Sequence, residues 1–201
     1  MTVPGYKICS KVGEGSYGVV YQARRLGQCT QQIVALKRVE VERSVSRRER
    51  IQNEVRNLCR IRHPNLVEGY SYVEVTGCFY IIMEYVPGPN LRDLVIRFGK
   101  LNMGDALRVF GQIMLGIEHL HARAIAHGDI KLANFILRPD GVVKVCDLGL
   151  SRTVVNVDGE LIECSKFHGC KSACSPEVCC FIIINNYSCC VCRLNCFRHT
   201  L

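Results

Sequence analysis

The chain has 201 residues, with 48% apolar and 22% charged side chains and a formal net charge of +8. This length and balance suit one ordinary domain or two small lobes, and they exclude wholesale disorder and a fibrous repeat. No apolar run reaches the ~18 residues of a bilayer-spanning helix, and the N-terminus has no apolar signal core. We therefore expect a cytoplasmic protein without a membrane partner, with the nucleus as the alternative location.

The first part of the chain predicts mainly strands. Short segments rich in Val, Ile and Tyr are broken by glycines and turn residues, at 6–13, 18–24, 33–39, 66–72 and 79–85. Between the third and fourth of these, residues 44–60 have apolar positions at helical spacing. The predicted helix ends at the His63-Pro64 step, because a residue before proline is pushed out of the helical region.

Half of the basic excess lies around this helix, in residues 38–62, which contain eight Arg and four Glu. Such a stretch can attract phosphate or nucleic acid, or it can form a solvated helix face with interleaved Glu–Arg pairs. We favour the helix face because no aromatic residues are interleaved for base stacking. Nucleic acid is therefore not expected as a partner.

Helical periodicity dominates after Pro87-Gly88-Pro89, which we interpret as a hinge. Residues 90–98 predict a short helix, and 102–122 a long one whose apolar stripe comprises Leu107, Phe110, Ile113, Met114, Ile117 and Leu120. Two short strands follow, at 135–137 and 142–146, joined by a Pro-Asp-Gly turn. A strand-rich first part and a helix-led second part predict a two-lobed α+β arrangement.

A glycine-rich segment lies between the first two predicted strands. Gly13, Gly15, Gly18 and Val20 fit the pattern G-x-G-x-x-G-x-V, in which glycines let backbone N–H groups approach a polyphosphate closely. A dinucleotide-binding fingerprint would need a helix directly after the glycines, whereas here a strand follows. The pattern therefore predicts a lid over phosphates, although glycine-rich hairpin turns are common.

Lys37 lies on the third predicted strand, in Val34-Ala35-Leu36-Lys37. Lys37 is either an ordinary surface lysine or a ligand for phosphate groups. An ion pair with Glu54 of the following helix would hold its ammonium toward the α- and β-phosphates of a nucleotide. Alternatively, Glu54 is an ordinary carboxylate on the surface of that helix.

The most informative run is His127-Gly128-Asp129-Ile130-Lys131-Leu132-Ala133-Asn134. Asp129 can accept a proton from an attacking hydroxyl, Lys131 can neutralise a moving phosphoryl group, and Asn134 can supply an oxygen to a metal ion. Asp147-Leu148-Gly149 follows a predicted strand, and an aspartate there can bind Mg²⁺, which prefers carboxylate and phosphate oxygens.

Taken together, these motifs resemble a eukaryotic protein kinase domain over Gly13 to Glu177. Met83-Glu84-Tyr85-Val86 matches the family's adenine-binding segment, with Met83 at the gatekeeper position, and Ser175-Pro176-Glu177 matches its A-P-E or S-P-E motif. The resemblance implies a five-stranded antiparallel N-lobe with one helix and a helical C-lobe that is incomplete here. The corresponding boundaries are 1–86 for the N-lobe, 87–178 for the partial C-lobe and 179–201 for a Cys-rich tail.

The same resemblance implies a serine/threonine kinase that uses ATP and Mg²⁺ and acts on a protein hydroxyl. Lys131, two residues after Asp129, follows the serine/threonine pattern, and D-L-G with S-P-E is similar to the NIMA-related kinases. The implied catalytic residues are Asp129, Lys131 and Asn134, and the implied metal ligands are Asn134 and Asp147. The implied nucleotide-binding residues are Gly13, Gly15, Gly18, Val20, Lys37, Glu54, Met83, Glu84 and Val86.

The sequence departs from the family pattern at three motif positions. Gly128 replaces the Arg that pairs with a phosphorylated activation segment, and Cys170 and Ala173 replace an expected Thr and Tyr. These changes leave a second hypothesis open, that of a catalytically impaired nucleotide-binding scaffold. A third is a fragment too incomplete to fold by itself.

Nine of the fourteen cysteines lie after residue 163. In a chain without export signals, cysteines are expected to be reduced thiols. Residues 179–201 lack the Asp and Trp of the family's next helix, which predicts a truncated or misread end. Alternatively the tail binds zinc, or its thiols are ordinary packing or redox-sensitive groups; the candidate zinc ligands are Cys189, Cys190, Cys192 and Cys196, with His168 or His199.

Overall fold

The structure, a computed structural model, describes residues 3–15, 18–27, 32–40, 48, 52, 55, 58–148 and 152–153. The predictions made for Glu54, for Gly149 and for residues 154–201, among them the zinc site, lie outside the described residues. The chain divides into two compact units, Met1–Val86 and Pro87–Leu201. Among the described residues, no helix is both long and apolar enough to cross a membrane.

The first unit is built on a five-stranded antiparallel sheet, which confirms the predicted fold class. The strand order is β1-β2-β3-β5-β4. The strands are β1 (Tyr6–Gly15), β2 (Gly18–Arg25), β3 (Ile33–Glu40), β4 (Gly69–Val75) and β5 (Cys78–Glu84). The described residues within 44–60 are all helical, as predicted; these are Arg48, Gln52, Val55, Leu58, Cys59 and Arg60.

The fourth strand starts later than the pattern indicated. We predicted residues 66–72, whereas β4 begins at Gly69. Before it, the His63-Pro64 segment forms a turn in which the N–H of Leu66 donates to the His63 carbonyl at 3.0 Å. Leu66 is buried at the end of this turn, before the strand begins, so its apolar character had been assigned to the wrong element.

The core of the sheet lies in its central strands. Residues 78–83 of β5 are all buried, so both faces of this strand are covered. One face joins Val34, Leu36, Tyr80 and Ile82 in a single apolar cluster. Burial on both faces gives β3 and β5 a nearly continuous apolar sequence, which is why they were recognisable as strands.

The second unit begins with two helices, α1 (Leu91–Phe98) and α2 (Met103–His121). Each starts at an asparagine whose side-chain oxygen accepts the N–H three residues later, at 2.9 Å from Asn90 and at 2.9 Å from Asn102. This N-cap geometry satisfies an otherwise unpaired helix N–H. Both helices lie within one residue of their predicted bounds.

The buried face of α2 overlaps the predicted stripe in part. Leu107 is 54% exposed, and the buried side chains are those of Ala106, Val109, Ile113, Ile117 and Leu120. The helix contacts two short strands that lie after it in the chain. Ile113, Ile117 and Leu120 were predicted correctly, whereas the small residues Ala106 and Gly116, which also belong to this buried face, were missed because the pattern weighted large side chains.

Two small antiparallel pairs complete the described part of the second unit. β7 (Phe135–Leu137) pairs with β8 (Val143–Val145), as predicted, after a 3-10 turn at Leu132–Asn134. β6 (Ile125–Ala126) pairs with β9 (Arg152–Thr153), a pairing that the sequence did not indicate. Two-residue strands are too short to produce a recognisable alternation.

The Pro87-Gly88-Pro89 segment lies against β7. The N–H of Leu137 donates to the Pro89 carbonyl at 3.0 Å, so the segment continues the hydrogen bonding of the hairpin. Gly88 has a φ of +129°, and a Cβ there would overlap the Leu137 carbonyl oxygen. Glycine is required at this position because both the backbone conformation and the close approach exclude a side chain.

Candidate active site

The glycine-rich segment forms the tip of the β1–β2 hairpin. Gly15 pairs with Gly18 and Gly13 with Val20, which is the strand–turn–strand arrangement predicted for a lid over phosphates. At Gly18, φ is +130° and a Cβ would overlap the carbonyl oxygen of Arg38, whereas a Cβ at Gly13 would meet open space. The fold therefore requires glycine at position 18, and at position 13 it leaves room for a ligand to approach the backbone.

Lys37 lies in the centre of the sheet of the first unit. It is paired with Val20 on β2 and with Ile81 on β5, and it is only 6% exposed. A buried ammonium is costly unless anionic or hydrogen-bonding groups surround it. The burial argues against the ordinary surface interpretation, while the ion pair with Glu54 stays a prediction.

The proposed adenine-binding segment lies at the end of β5 and just after it. Met83 is 9% exposed and pairs with Ala35 of β3. The N–H of Glu84 donates to the Glu68 carbonyl at 2.8 Å, and the Glu84 carboxylate accepts the N–H of Glu68 at 3.3 Å. These bonds attach Glu84 to Glu68, which directly precedes β4. Val86, the last residue of the first unit, is buried.

Three of the predicted residues meet at a buried carboxylate in the second unit. Asp129 is 1% exposed. The side-chain nitrogen of Asn134 donates to the Asp129 carbonyl at 2.8 Å and to its Oδ2 at 3.0 Å, and Lys131 Nζ lies 2.6 Å from the same Oδ2. Both side-chain contacts use Oδ2.

His127 connects this carboxylate to the end of β8. Its Nδ1 accepts the N–H of Asp129 at 3.2 Å, which assigns the ring proton to Nε2. Nε2 then donates to the carbonyl of Cys146 at 3.1 Å. His127 was given no role from the sequence, although its position two residues before Asp129 was a signal for one.

Gly128 adopts a backbone conformation that suits glycine. Its φ is +80°, in the left-handed region, where another residue costs roughly 1–2 kcal/mol. The glycine that replaces the expected Arg therefore removes a charged side chain and also relieves local backbone strain next to Asp129.

Asn134 and Asp147 both lie at the open end of the β7–β8 hairpin, opposite its turn. Asn134 directly precedes β7, and its carbonyl accepts the N–H of Cys146 at 2.9 Å, one residue before Asp147. Asp147 has a φ of +65°, and a non-glycine residue in this region is strained. Such strain is concentrated at functional sites.

The side-chain oxygen atoms of Asn134 and Asp147 suit a hard cation. Asp147 offers carboxylate oxygens. Asn134 offers its amide oxygen, because its nitrogen is bound to Asp129. Within the part of the chain that the structure describes, no cluster of three or more His, Cys, Asp or Glu side chains could hold a metal. Two protein oxygens completed by phosphate and water fit Mg²⁺.

Burial lowers the pKa of His127 below the ordinary value of 6.5, and the nearby Asp147 and Asp129 carboxylates only partly oppose this effect. At a pH just below 6.5, the ring therefore takes up a proton in the unfolded chain but stays neutral in the folded state. We expect the free energy of unfolding to fall as pH drops below about 6.5, by up to ~1.4 kcal/mol per pH unit. Chemical denaturation of the wild type and of His127→Gln between pH 5.5 and 8 tests this.

His121→Gln is the matched control, because that ring lies at the exposed end of α2. Burial also lowers the pKa of His121, but less of its surface is removed from water, so its contribution to the pH slope should be smaller. Equal slopes for wild type and His127→Gln would contradict the assignment of a neutral, buried His127.

Comparison with known proteins identifies relatives across most of the chain. A family model described as the protein kinase domain matches residues 6–188. The chain is 36% identical over 175 residues to CBL-interacting serine/threonine-protein kinase 13 of Arabidopsis thaliana, covering 86% of this chain and 34% of that protein. It is 32% identical over 178 residues to sucrose non-fermenting protein kinase 1 of Fusarium virguliforme, covering 88% of this chain and 24% of that protein.

A third relative is the SNF1-related protein kinase catalytic subunit alpha KIN12 of Arabidopsis thaliana, 29% identical over 176 residues, with 88% of this chain and 35% of that protein covered. The chain thus spans from a quarter to about a third of the length of these relatives. Their names refer to SNF1-related and CBL-interacting kinases, and they do not support a specific similarity to NIMA-related kinases.

Proposed function

Because this chain belongs to the protein kinase family, we propose that it transfers the γ-phosphoryl group of ATP to a serine or threonine hydroxyl of a protein. The observation that carries the proposal is the buried Asp129, whose Oδ2 is held by Asn134 and Lys131. This arrangement holds the Asp129 carboxylate in a fixed position for orienting a hydroxyl. Phosphoryl transfer depends mainly on such positioning and on electrostatic stabilisation.

In the proposed reaction, residues of the first unit hold the nucleotide. The backbone of Gly13, Gly15 and Gly18 covers the phosphates, and Val20 lies beside the adenine. Lys37 contacts the α- and β-phosphates, held there by Glu54. The segment from Met83 to Val86 receives the adenine through backbone groups. The buried position of Lys37 and the requirement for glycine at position 18 support these roles.

Residues of the second unit act on the transferred group. Asp129 orients the hydroxyl and accepts its proton while the new oxygen–phosphorus bond forms and the bond to ADP breaks. Lys131 neutralises charge on the moving phosphoryl group. Asn134 and Asp147 would hold Mg²⁺, which would supply positive charge to offset that of the phosphates. The oxygen donors of these two residues support the assignment.

The proposed specificity for serine or threonine rests on Lys131, two residues after Asp129, and on relatives that include a named serine/threonine-protein kinase. Among subfamilies, the names of the relatives favour the SNF1-related and CBL-interacting group over the NIMA-related kinases. The cytoplasmic location stays a prediction.

A second function, that of a nucleotide-binding scaffold, is favoured by Gly128. Without the Arg of the family pattern, pairing with a phosphorylated activation segment is lost. The carboxylate of Asp129 is nevertheless held in place. We therefore rank phosphoryl transfer first.

The first test is a thermal melt of the chain under reducing conditions, with and without saturating MgATP. At about 100 times its dissociation constant, a ligand stabilises the native state by ~2.7 kcal/mol. For a domain of this size we expect a rise in Tm of roughly 5–11 °C. Transfer of labelled γ-phosphate to a Ser/Thr-containing protein then distinguishes the kinase from the scaffold.

Lys37→Met is the control for the melt, since it removes the buried ammonium without adding a new polar group. It should melt cooperatively and show a much smaller shift with MgATP. A wild-type melt that MgATP does not change would contradict both proposed functions.

A further inference from the structure

Gln112 of α2 makes two hydrogen bonds to the β7–β8 hairpin. Its Nε2 donates to the Gly141 carbonyl at 3.0 Å, and its Oε1 accepts the N–H of Val143 at 2.9 Å. A side-chain amide that both donates and accepts along one strand edge imitates the peptide group of a neighbouring strand. We refer to this pair of bonds as the Gln112 clamp.

One edge of β8 pairs with β7, and the Gln112 clamp provides hydrogen-bond partners for backbone groups on the other edge. Leu137 and Val143 are directly paired, and the N–H of Arg138 donates to the Val142 carbonyl at 2.9 Å. The Val142 carbonyl therefore faces the first strand of the hairpin, whereas the Gly141 carbonyl and the Val143 N–H face Gln112. Val143 is fully buried, so an unpaired N–H at that position would be costly.

The hairpin links the clamp to the proposed metal ligands. At the end opposite the clamp, the Asn134 carbonyl accepts both the N–H of Cys146, at 2.9 Å, and its Sγ–H, at 3.1 Å. Asn134 and Asp147 therefore lie at the end of the same short hairpin whose turn is held by α2. A three-residue strand pair has few bonds of its own with which to fix this geometry.

We infer that Gln112 is a positioning residue for phosphoryl transfer, setting the positions of Asn134 and Asp147 through the β7–β8 hairpin. The inference rests on the proposed function, since it concerns the metal ligands of that site. Gln112 itself need not touch nucleotide or metal. Residues that orient metal ligands from outside typically change metal affinity or activity by about 10–100-fold when removed.

Gln112→Met tests the inference, because it keeps the length of the side chain and removes both bonds. We expect the Mg²⁺ concentration for half-maximal ATP binding to rise about tenfold, with ATP affinity in EDTA unchanged within twofold. The kcat should fall with the Mg²⁺ affinity. In the ligand-free chain, hydrogen exchange at the Val143 and Cys146 amides should become faster.

Two further variants complete the design. Gln112→Glu keeps the acceptor for the Val143 N–H and loses the donor to Gly141, so its Mg²⁺ requirement should lie between those of wild type and Gln112→Met. If Gln112→Met fails to fold, this second variant decides the question. Arg108→Met introduces the same side chain on the exposed face of α2 and should behave as wild type.

The outcomes separate this inference from the proposed function. If wild type shows no Mg²⁺-dependent ATP binding and no transfer, the proposed function fails, and the positioning role with it. If wild type is active and both Gln112 variants keep the wild-type Mg²⁺ requirement within twofold, the positioning role alone is overturned. Faster amide exchange with an unchanged Mg²⁺ requirement would show that the clamp is only structural.

Discussion

Replacing Asp129 with asparagine is expected to lower kcat for phosphoryl transfer on the order of 10³-fold, while the Tm shift with MgATP is retained. The amide has nearly the same shape, but it cannot accept the proton of the attacking hydroxyl. Asp129 is 1% exposed and shares its Oδ2 between Asn134 and Lys131. Because water does not reach this site, the substitution also removes a negative charge that solvent cannot compensate. Steady-state transfer of labelled phosphate measures the effect.

Asp93→Asn is the matched control, since Asp93 lies in the exposed first turn of α1. It should leave kcat within twofold of wild type. Wild-type activity in Asp129→Asn would remove the proposed proton acceptor. A nucleotide-dependent binding function that survives in an Asp129→Asn variant without kinase activity would be the behaviour of a scaffold.

Asn134→Asp should reduce kcat by about 100-fold or more, although it keeps the oxygen atoms that a metal needs. The nitrogen of Asn134 donates to the Asp129 carbonyl at 2.8 Å and to Oδ2 at 3.0 Å. The substitution places a second carboxylate against the first, in a site where both residues are at most 5% exposed. Two like charges at this distance raise the pKa of one carboxyl, so they share a proton and Asp129 is no longer a fixed acceptor.

Asn134→Ala separates the two roles of this residue. It removes the proposed metal ligand together with the hydrogen bonds, so it should raise the Mg²⁺ requirement more than Asn134→Asp does. Both variants should lower the free energy of unfolding, by about 1–3 kcal/mol for the buried groups left without partners. Wild-type kcat in Asn134→Asp would show that the bonds to Asp129 have no part in catalysis.

Much of the local structure could be predicted because short-range chemistry determines it. The asparagines at 90 and 102 cap the helices that follow, and the Pro-Asp-Gly turn joins β7 to β8. The spacing from Asp129 to Asn134 is short enough for the intervening 3-10 turn to bring the two side chains together. For these elements, the residues that interact are close neighbours in the chain.

Other features could not be predicted, because each depends on residues that are distant in sequence. The burial of Lys37 depends on two neighbouring strands, and the requirement for glycine at position 88 depends on the Leu137 carbonyl. The buried face of α2 depends on the strands against which the helix packs. Local apolar spacing indicated Ile113, Ile117 and Leu120, but it could not show that Leu107 is left exposed.

The sequence by itself determined the family, the two-part α+β organisation and the identity of the motif residues, since spacing along the chain encodes all three. Only the tertiary structure decided how those residues are held. Asp129 is held through Asn134, Lys131 and His127, and the hairpin bearing Asn134 is held through Gln112. Gln112 and Val143 are 31 residues apart, and a hydrogen bond over that separation exists only after the helix and the hairpin have packed together.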